Sequence, residues 1–236
     1  MDRLLTPELM DDPEIDPAEH AGALAGLARL NRLSDAAGPV WGALLGVARG
    51  RRAAGARGPI RVLDIATGSG DVPVGVGKRA ARAGLDVELH ACDISGTALE
   101  AAAARARAAG LRLEAFEHDL LAADLPDGFD VVTCCLFLHH LDDDGTRTVL
   151  ARMRRAARER VIVSDLTRCR SGLVMAFAAS RVFTRSRVVH VDAVKSVRAA
   201  YTPGELGAIA REAGMVDASI ARVWPRRMLL AWSPKQ

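Results

Sequence analysis

Residues 62 to 71 read VLDIATGSGD. An apolar run carries an aspartate at position 64, then gives way to two glycines, Gly68 and Gly70, and a second acid, Asp71. Strands buried on both faces are apolar throughout, and glycine lets a backbone turn sharply or lie against a bound molecule. The stretch therefore predicts a strand at 60 to 65, a tight turn, and a helix over 72 to 83. A helix start offers unpaired N–H groups and partial positive charge, so it attracts a carboxylate as readily as a phosphate.

Two phosphate-binding patterns fail at this turn. A dinucleotide fingerprint needs a third glycine where Pro73 stands, and no lysine follows a glycine within the loop as a nucleotide phosphate loop requires. What remains is D-x-x-x-G-x-G at the end of a strand.

Working outward, short apolar runs at 86 to 91, 111 to 116, 129 to 134 and 160 to 164 alternate with helical stretches at 96 to 109 and 144 to 157. That alternation predicts a parallel sheet covered by helices on both faces. The last two runs, ASIARVW and RMLLAW, are linked only by Pro225 and Arg226, which permits an antiparallel pair and no crossover. The expected fold is thus a doubly wound α/β sandwich with a mostly parallel seven-stranded sheet.

Upstream, Asp16-Pro17-Ala18-Glu19 stands in capping-box order before a helix with Ala21, Leu24, Leu27 and Leu30 on one face. A second helix is expected at 37 to 49, and the arginine- and glycine-rich run 48 to 59 reads as a connection. The expected division is a helical cap over 1–58 and a ligand-binding domain over 59–236, with a lid inserted at about 167–201. Thr202-Pro203-Gly204-Glu205 then starts a helix reaching about 213.

Composition excludes several classes. Half of the 236 residues are apolar, enough for one sizeable core, and the net charge is +3 with arginines spread along the chain, which argues against a nucleic-acid partner. Cys92, Cys134, Cys135 and Cys169 lack C-x-x-C spacing and read as reduced thiols of a cytoplasmic protein. The acidic start is unlike a signal peptide, and the longest apolar stretches fall far short of the ~20 residues of a membrane span.

From Arg61 to Val163 the residues resemble the class I S-adenosylmethionine-dependent methyltransferases. The resemblance implies S-adenosyl-L-methionine as cofactor, with its methionine portion held by Asp64, Ala66, Gly68 and Gly70. Asp93, in LHACDIS, would grip both ribose hydroxyls, and Ile94 would pack on adenine. Asp119 and Leu120, in FEHDLL, fall at the adenine edge, and Cys135 and Leu136 beneath the sulfonium. Within the superfamily the chain is similar to the type 11 small-molecule enzymes related to quinone biosynthesis. That implies a bacterial enzyme of secondary metabolism with a phenolic, quinol-like or polyketide acceptor, methylated at oxygen ahead of ring carbon. The partner is then a small molecule, with a homodimer left open. Opposing readings are a nucleotide-dependent dehydrogenase and a cofactor-binding module without catalysis.

Methyl transfer from a sulfonium is an in-line displacement that alignment in a dry pocket accelerates, and it requires no metal. A phenol has a pKa of roughly 10, so a base would help to form the attacking oxyanion. His140, ahead of His139, is the expected catalytic group, because both follow the fourth strand. The bland alternative is local bonding at a strand end. His190, Asp192 and Tyr201 are further substrate-binding candidates, weighed against a set of loop-stabilising hydrogen bonds. His20, His90 and His118 read as structural, Cys134 and Cys135 as buried apolar residues, and Asp142, Asp143 and Asp144 as a helix start. Arg168, Arg170, Arg181, Arg185 and Arg187 make the insertion basic.

Overall fold

A computed structural model of the chain describes residues 1–11 and 14–234; the side chain of His20 lies outside the described part. Five parallel strands, β1 (Ile60–Ile65), β2 (Val87–Asp93), β3 (Leu113–Glu117), β4 (Phe129–Cys135) and β5 (Ala157–Leu166), are completed by β6 (Ser219–Val223) and β7 (Arg227–Trp232). The order across the sheet is β3-β2-β1-β4-β5-β7-β6, with β7 antiparallel to both neighbours. Chain direction across the sheet reverses between β1 and β4, and open α/β sheets bind ligands outside the carboxyl ends at such a switch point.

Helices α1 (Pro17–Leu33) and α2 (Ala37–Ala53) precede the sheet, and α3 (Asp71–Ala83), α4 (Gly96–Ala108) and α5 (Asp143–Ala156) make its crossovers. Val40, Leu44 and Val47 of α2 pack with Val72 and Val76 of α3 on Val62, Val131 and Ile162. The opposite face buries Leu63, Ile65, Val132 and Val163 beneath Leu150 and Met153 of α5 and Leu206 and Ile209 of α8 (Pro203–Glu212). Leu63 and Ile65 are fully buried, which stabilises the fold by about 1.5–3 kcal/mol each and fixes the strand that delivers the turn.

Two boundaries differ by three residues or more from those expected. The arginine-rich run after residue 49 stays helical to Ala53 because Arg51 pairs with Asp130 at 2.9 Å and Glu159 at 2.8 Å at the foot of the sheet. Strand β5 starts at Ala157, three residues early, because Ala157 pairs with Phe129 across a register shift. The segment after β5 is a pair of helices, α6 (Arg170–Phe183) and α7 (Arg187–Ala199).

The N-terminal residues run along α7. Leu4 donates its amide to the Arg198 carbonyl at 3.1 Å, and Lys195 Nζ donates to the Pro7 carbonyl at 2.6 Å. Asp192 accepts the Leu9 and Met10 amides at 2.8 and 3.0 Å, so its carboxylate anchors a short turn at Leu9–Asp11.

Candidate functional site

The turn after β1 is built around a buried acid. Asp64 is 2% exposed and accepts hydroxyl bonds from Thr67 at 2.7 Å and Thr133 at 2.6 Å, which tie the turn to β4. Burial pushes its carboxyl up to about 6 against the lowering effect of the two hydroxyls. Ala66, Gly68 and Gly70 have φ of 47°, 53° and 74°, so three residues in five are left-handed. A Cβ at Gly70 would stand 2.8 Å from the Ala102 Cβ and 3.0 Å from its Cα, so glycine there admits α4. A Cβ at Gly68 would meet nothing within 4 Å, leaving its space open to a ligand.

The ends of β2 and β4 meet that turn. Asp93 accepts the Gly68 amide at 2.8 Å and the Ser95 amide at 3.0 Å, and the Thr67 amide donates to the Cys92 carbonyl at 3.1 Å. Ile94 is 70% exposed, an apolar side chain held out beside the acid. Asp119 accepts the Leu121 and Ala122 amides, whereas Leu120 belongs to the core. Beyond β4, Leu136 is left-handed at φ 55° and donates its amide to the Ser164 carbonyl at 2.9 Å. Burial raises the thiols of Cys134 and Cys135 well above their usual range, so both are neutral apolar fillers.

His139 and His140 follow on a single turn, Leu138–His140. His139 is 4% exposed, and its Nδ1 meets Asp165 Oδ1 at 2.7 Å. Burial works to raise the Asp165 carboxyl, but the charge and bond of His139 together hold it below the usual carboxylate range. His140 is half-buried, its ring stacked with Phe137 at 6.2 Å and tilted against His139 at 4.4 Å. Glu8 comes down from the N-terminal segment to within 4.0 Å of His139 Nε2.

The other candidates are not brought together. His190 bonds the Thr184 carbonyl at 2.9 Å, Asp192 anchors Leu9 and Met10, and the buried Tyr201 hydroxyl reaches Thr146 and Asp143 at 3.0 and 2.9 Å. Asp142 caps α5 by accepting the Gly145 amide at 2.7 Å. Sequence reasoning passed over Glu8, Asp165 and Arg227. Arg227 is 6% exposed, donates to Ser34 Oγ at 2.8 Å, and is lowered by burial while Cys135 and Asp165 act to raise it. The available signal was charge inside otherwise apolar β-strand patterns, at SDL and RMLLAW.

Against known proteins, residues 62–160 match a methyltransferase domain model. A demethylmenaquinone methyltransferase of Thermus thermophilus is 37% identical over 84 residues, covering 35% of this chain and 36% of that relative. A putative O-methyltransferase of Nostoc punctiforme superposes over 99% of this chain and 64% of its own, with TM-score 0.67 and 18% identity. The magnesium protoporphyrin IX methyltransferase of Synechocystis, solved with bound SAH, covers 95% and 90% with TM-score 0.56 and 18% identity. The structural likenesses establish the fold, and the match thus reaches under two thirds of the Nostoc protein and about a third of the Thermus relative. Residues 62–160, from β1 into β5 and including the acid-braced glycine turn at the switch point, are thus similar to a methyltransferase domain, and the whole chain shares the fold of solved methyltransferases.

Proposed function

We propose that this chain methylates a small phenolic, quinol-like or polyketide acceptor, at oxygen in the first instance. The observation that carries the reading is one shared edge: the glycine turn braced by Asp93 and the His139–His140 turn both stand at carboxyl ends of neighbouring strands. In the cofactor site, Asp64 holds the turn and Gly68 and Ala66 bring backbone to the methionine portion. Asp93 takes the ribose hydroxyls and Ile94 the adenine face, with Asp119 and Leu120 at its edge. Cys135 and Leu136 lie under the reacting centre.

When bound, the cofactor supplies a methyl group on a positively charged sulfur, which leaves as a neutral thioether. The chain's own residues present the acceptor hydroxyl in line, exclude water and relieve the oxygen of its proton at the His139–His140 pair. His140 is the more accessible of the two, and His139 is oriented by Asp165. Residues 1–58 and the insertion at 167–201 are assigned to the acceptor pocket as cap and lid. The name of the Thermus relative supports a second reading, methylation of a ring carbon of a quinol.

Calorimetry with S-adenosylhomocysteine and with NAD, side by side, tests the cofactor, and turnover against a phenol and quinol panel tests the acceptor. Binding of NAD alone would overturn the proposal. Mass spectrometry after ether cleavage separates oxygen from carbon products, since only a carbon-bound methyl survives.

A further inference from the structure

The strongest unassigned feature is the cluster of Glu8, His139 and His140, whose ligating atoms all lie within 4.8 Å of one another. Glu8 and His139 are placed by bonds of their own, and His140 by ring contacts with Phe137 and His139. The Ser196 hydroxyl donates to Glu8 Oε1, and Asp192 fixes the two residues that follow Glu8. Asp165 Oδ1 takes the Nδ1 side of the His139 ring. A carboxylate only accepts, so a neutral ring here would carry its hydrogen on Nδ1 and keep a lone pair on Nε2, the nitrogen 4.0 Å from Glu8 Oε1. A carboxylate behind a histidine in this way is the outer partner common to metal-bound imidazoles.

The His139–Glu8 spacing is too long for a hydrogen bond and falls within the span of two ligands on one ion. Nε2 of His139 and Oε1 of Glu8 are 4.0 Å apart, too far to share a proton directly. Two atoms bound at about 2.1 Å stand roughly 3.4 Å apart at a tetrahedral angle and about 4.2 Å apart when opposed. The Glu8 carboxylate beside the two imidazoles, with Asp165 behind His139, makes the place favourable to a cation. Asp165 Oδ2 is buried with no hydrogen-bond partner among the described residues, a further acceptor left over at the same place.

We propose that Glu8, His139 and His140 bind one divalent first-row transition-metal ion, with Asp165 orienting His139. Two nitrogens and one carboxylate suit zinc or ferrous iron and leave positions open for an outside oxygen; magnesium favours an all-oxygen set. Resting on the methyl-transfer reading, the role follows: the acceptor's oxygen binds the ion, its O–H bond breaks, and the proton leaves to solvent. The imidazoles then serve as ligands in place of a base, and the ion supplies the Lewis acid that prepares the oxyanion.

The test uses the full chain stripped by a chelator and titrated calorimetrically with Zn²⁺, with Mg²⁺, and anaerobically with Fe²⁺; Co²⁺ gives a visible spectrum that reports the ligand set. One equivalent of Zn²⁺ or Fe²⁺ per chain is expected, with Mg²⁺ failing to compete. Glu8→Gln and His140→Ala should each weaken the ion at least about tenfold, and loss of the outer partner in Asp165→Asn about 10–100-fold. Glu8 lies outside the hydrophobic clusters, so Glu8→Gln keeps the fold, and thermal melting confirms it. Absence of a one-to-one complex, or equal affinity in wild type and Glu8→Gln, overturns the site. S-adenosylhomocysteine titrated into the same samples tests the cofactor reading separately, since its failure would leave the ion result standing.

Discussion

Asp93 and Gly68, 25 residues apart in sequence, are joined by a 2.8 Å hydrogen bond from the glycine amide to the carboxylate. The end of β2 therefore braces the turn that follows β1. One acid shapes the turn, and in the proposed cofactor site its remaining lone pairs would meet the ribose hydroxyls.

Replacing Asp93 by alanine removes the brace on the turn and, in the proposed site, the ligand contact. The expected result is a loss of at least about tenfold in S-adenosylhomocysteine affinity, or about 1.4 kcal/mol, in calorimetry. Asp93→Asn keeps an acceptor for Gly68 and should fall between wild type and alanine. Wild-type affinity in the alanine variant would show that Asp93 faces no ligand.

Gly68 and Gly70 should separate under alanine substitution. Both are left-handed, which costs an alanine roughly 1–2 kcal/mol. Only at Gly70 does the new Cβ also collide with Ala102 backbone, adding about 1–3 kcal/mol of overpacking. Urea unfolding should therefore show Gly70→Ala as the less stable variant. Calorimetry should show Gly68→Ala, with its open space filled, losing cofactor affinity out of proportion to its stability. Equal unfolding midpoints would contradict the packing argument.

These contrasts mark what sequence made legible. Local signals sufficed where one residue type has one physical use: the apolar run of β1, the glycines after it, the Asp16 and Thr202 caps, and the short link before β7. The rim around His139 was harder because its partners are remote in sequence. Nothing near His139 announces Asp165, 26 residues on, and nothing near Glu8 announces Ser196, 188 residues on. Asp192 and Tyr201 look like site chemistry in one dimension because both are polar beside apolar neighbours. In three dimensions their polar atoms are consumed by Leu9 and Met10, and by Thr146 and Asp143.

Asp64 gives a pH signature. Its folded carboxyl sits at about 6, above the ordinary 3.8, so the folded state holds the proton more tightly than the unfolded chain. Stability from this group is present at acid pH and is lost as pH rises from 3.8 through 6. A carboxyl raised from 3.8 to about 6 carries a difference of about 3 kcal/mol between its two protonation states. Asp64→Asn keeps partners for Thr67 and Thr133 without the charge. Its stability relative to wild type should rise between pH 4 and pH 7 by up to about 3 kcal/mol and level off above. Urea curves at pH 4, 5, 6, 7 and 8 measure the difference, and a pH-independent offset would refute the assignment.

Asp192 should control the N-terminal segment without touching the cofactor site. Its carboxylate fixes the Leu9 and Met10 amides, and those two bonds set where Glu8 descends toward His139. In Asp192→Ala the contacts of Leu4 with Arg198 and Pro7 with Lys195 remain, so the segment should stay tethered but lose its register. Amide exchange at Leu9 and Met10 should accelerate by about tenfold or more, because local opening now breaks fewer bonds. S-adenosylhomocysteine affinity should be unchanged, since the Asp93–Gly68 unit lies on other elements, while turnover of an identified acceptor should drop. Exchange and turnover both at wild-type levels would show that Asp192 only stabilises α7 and that the segment takes no part in the pocket.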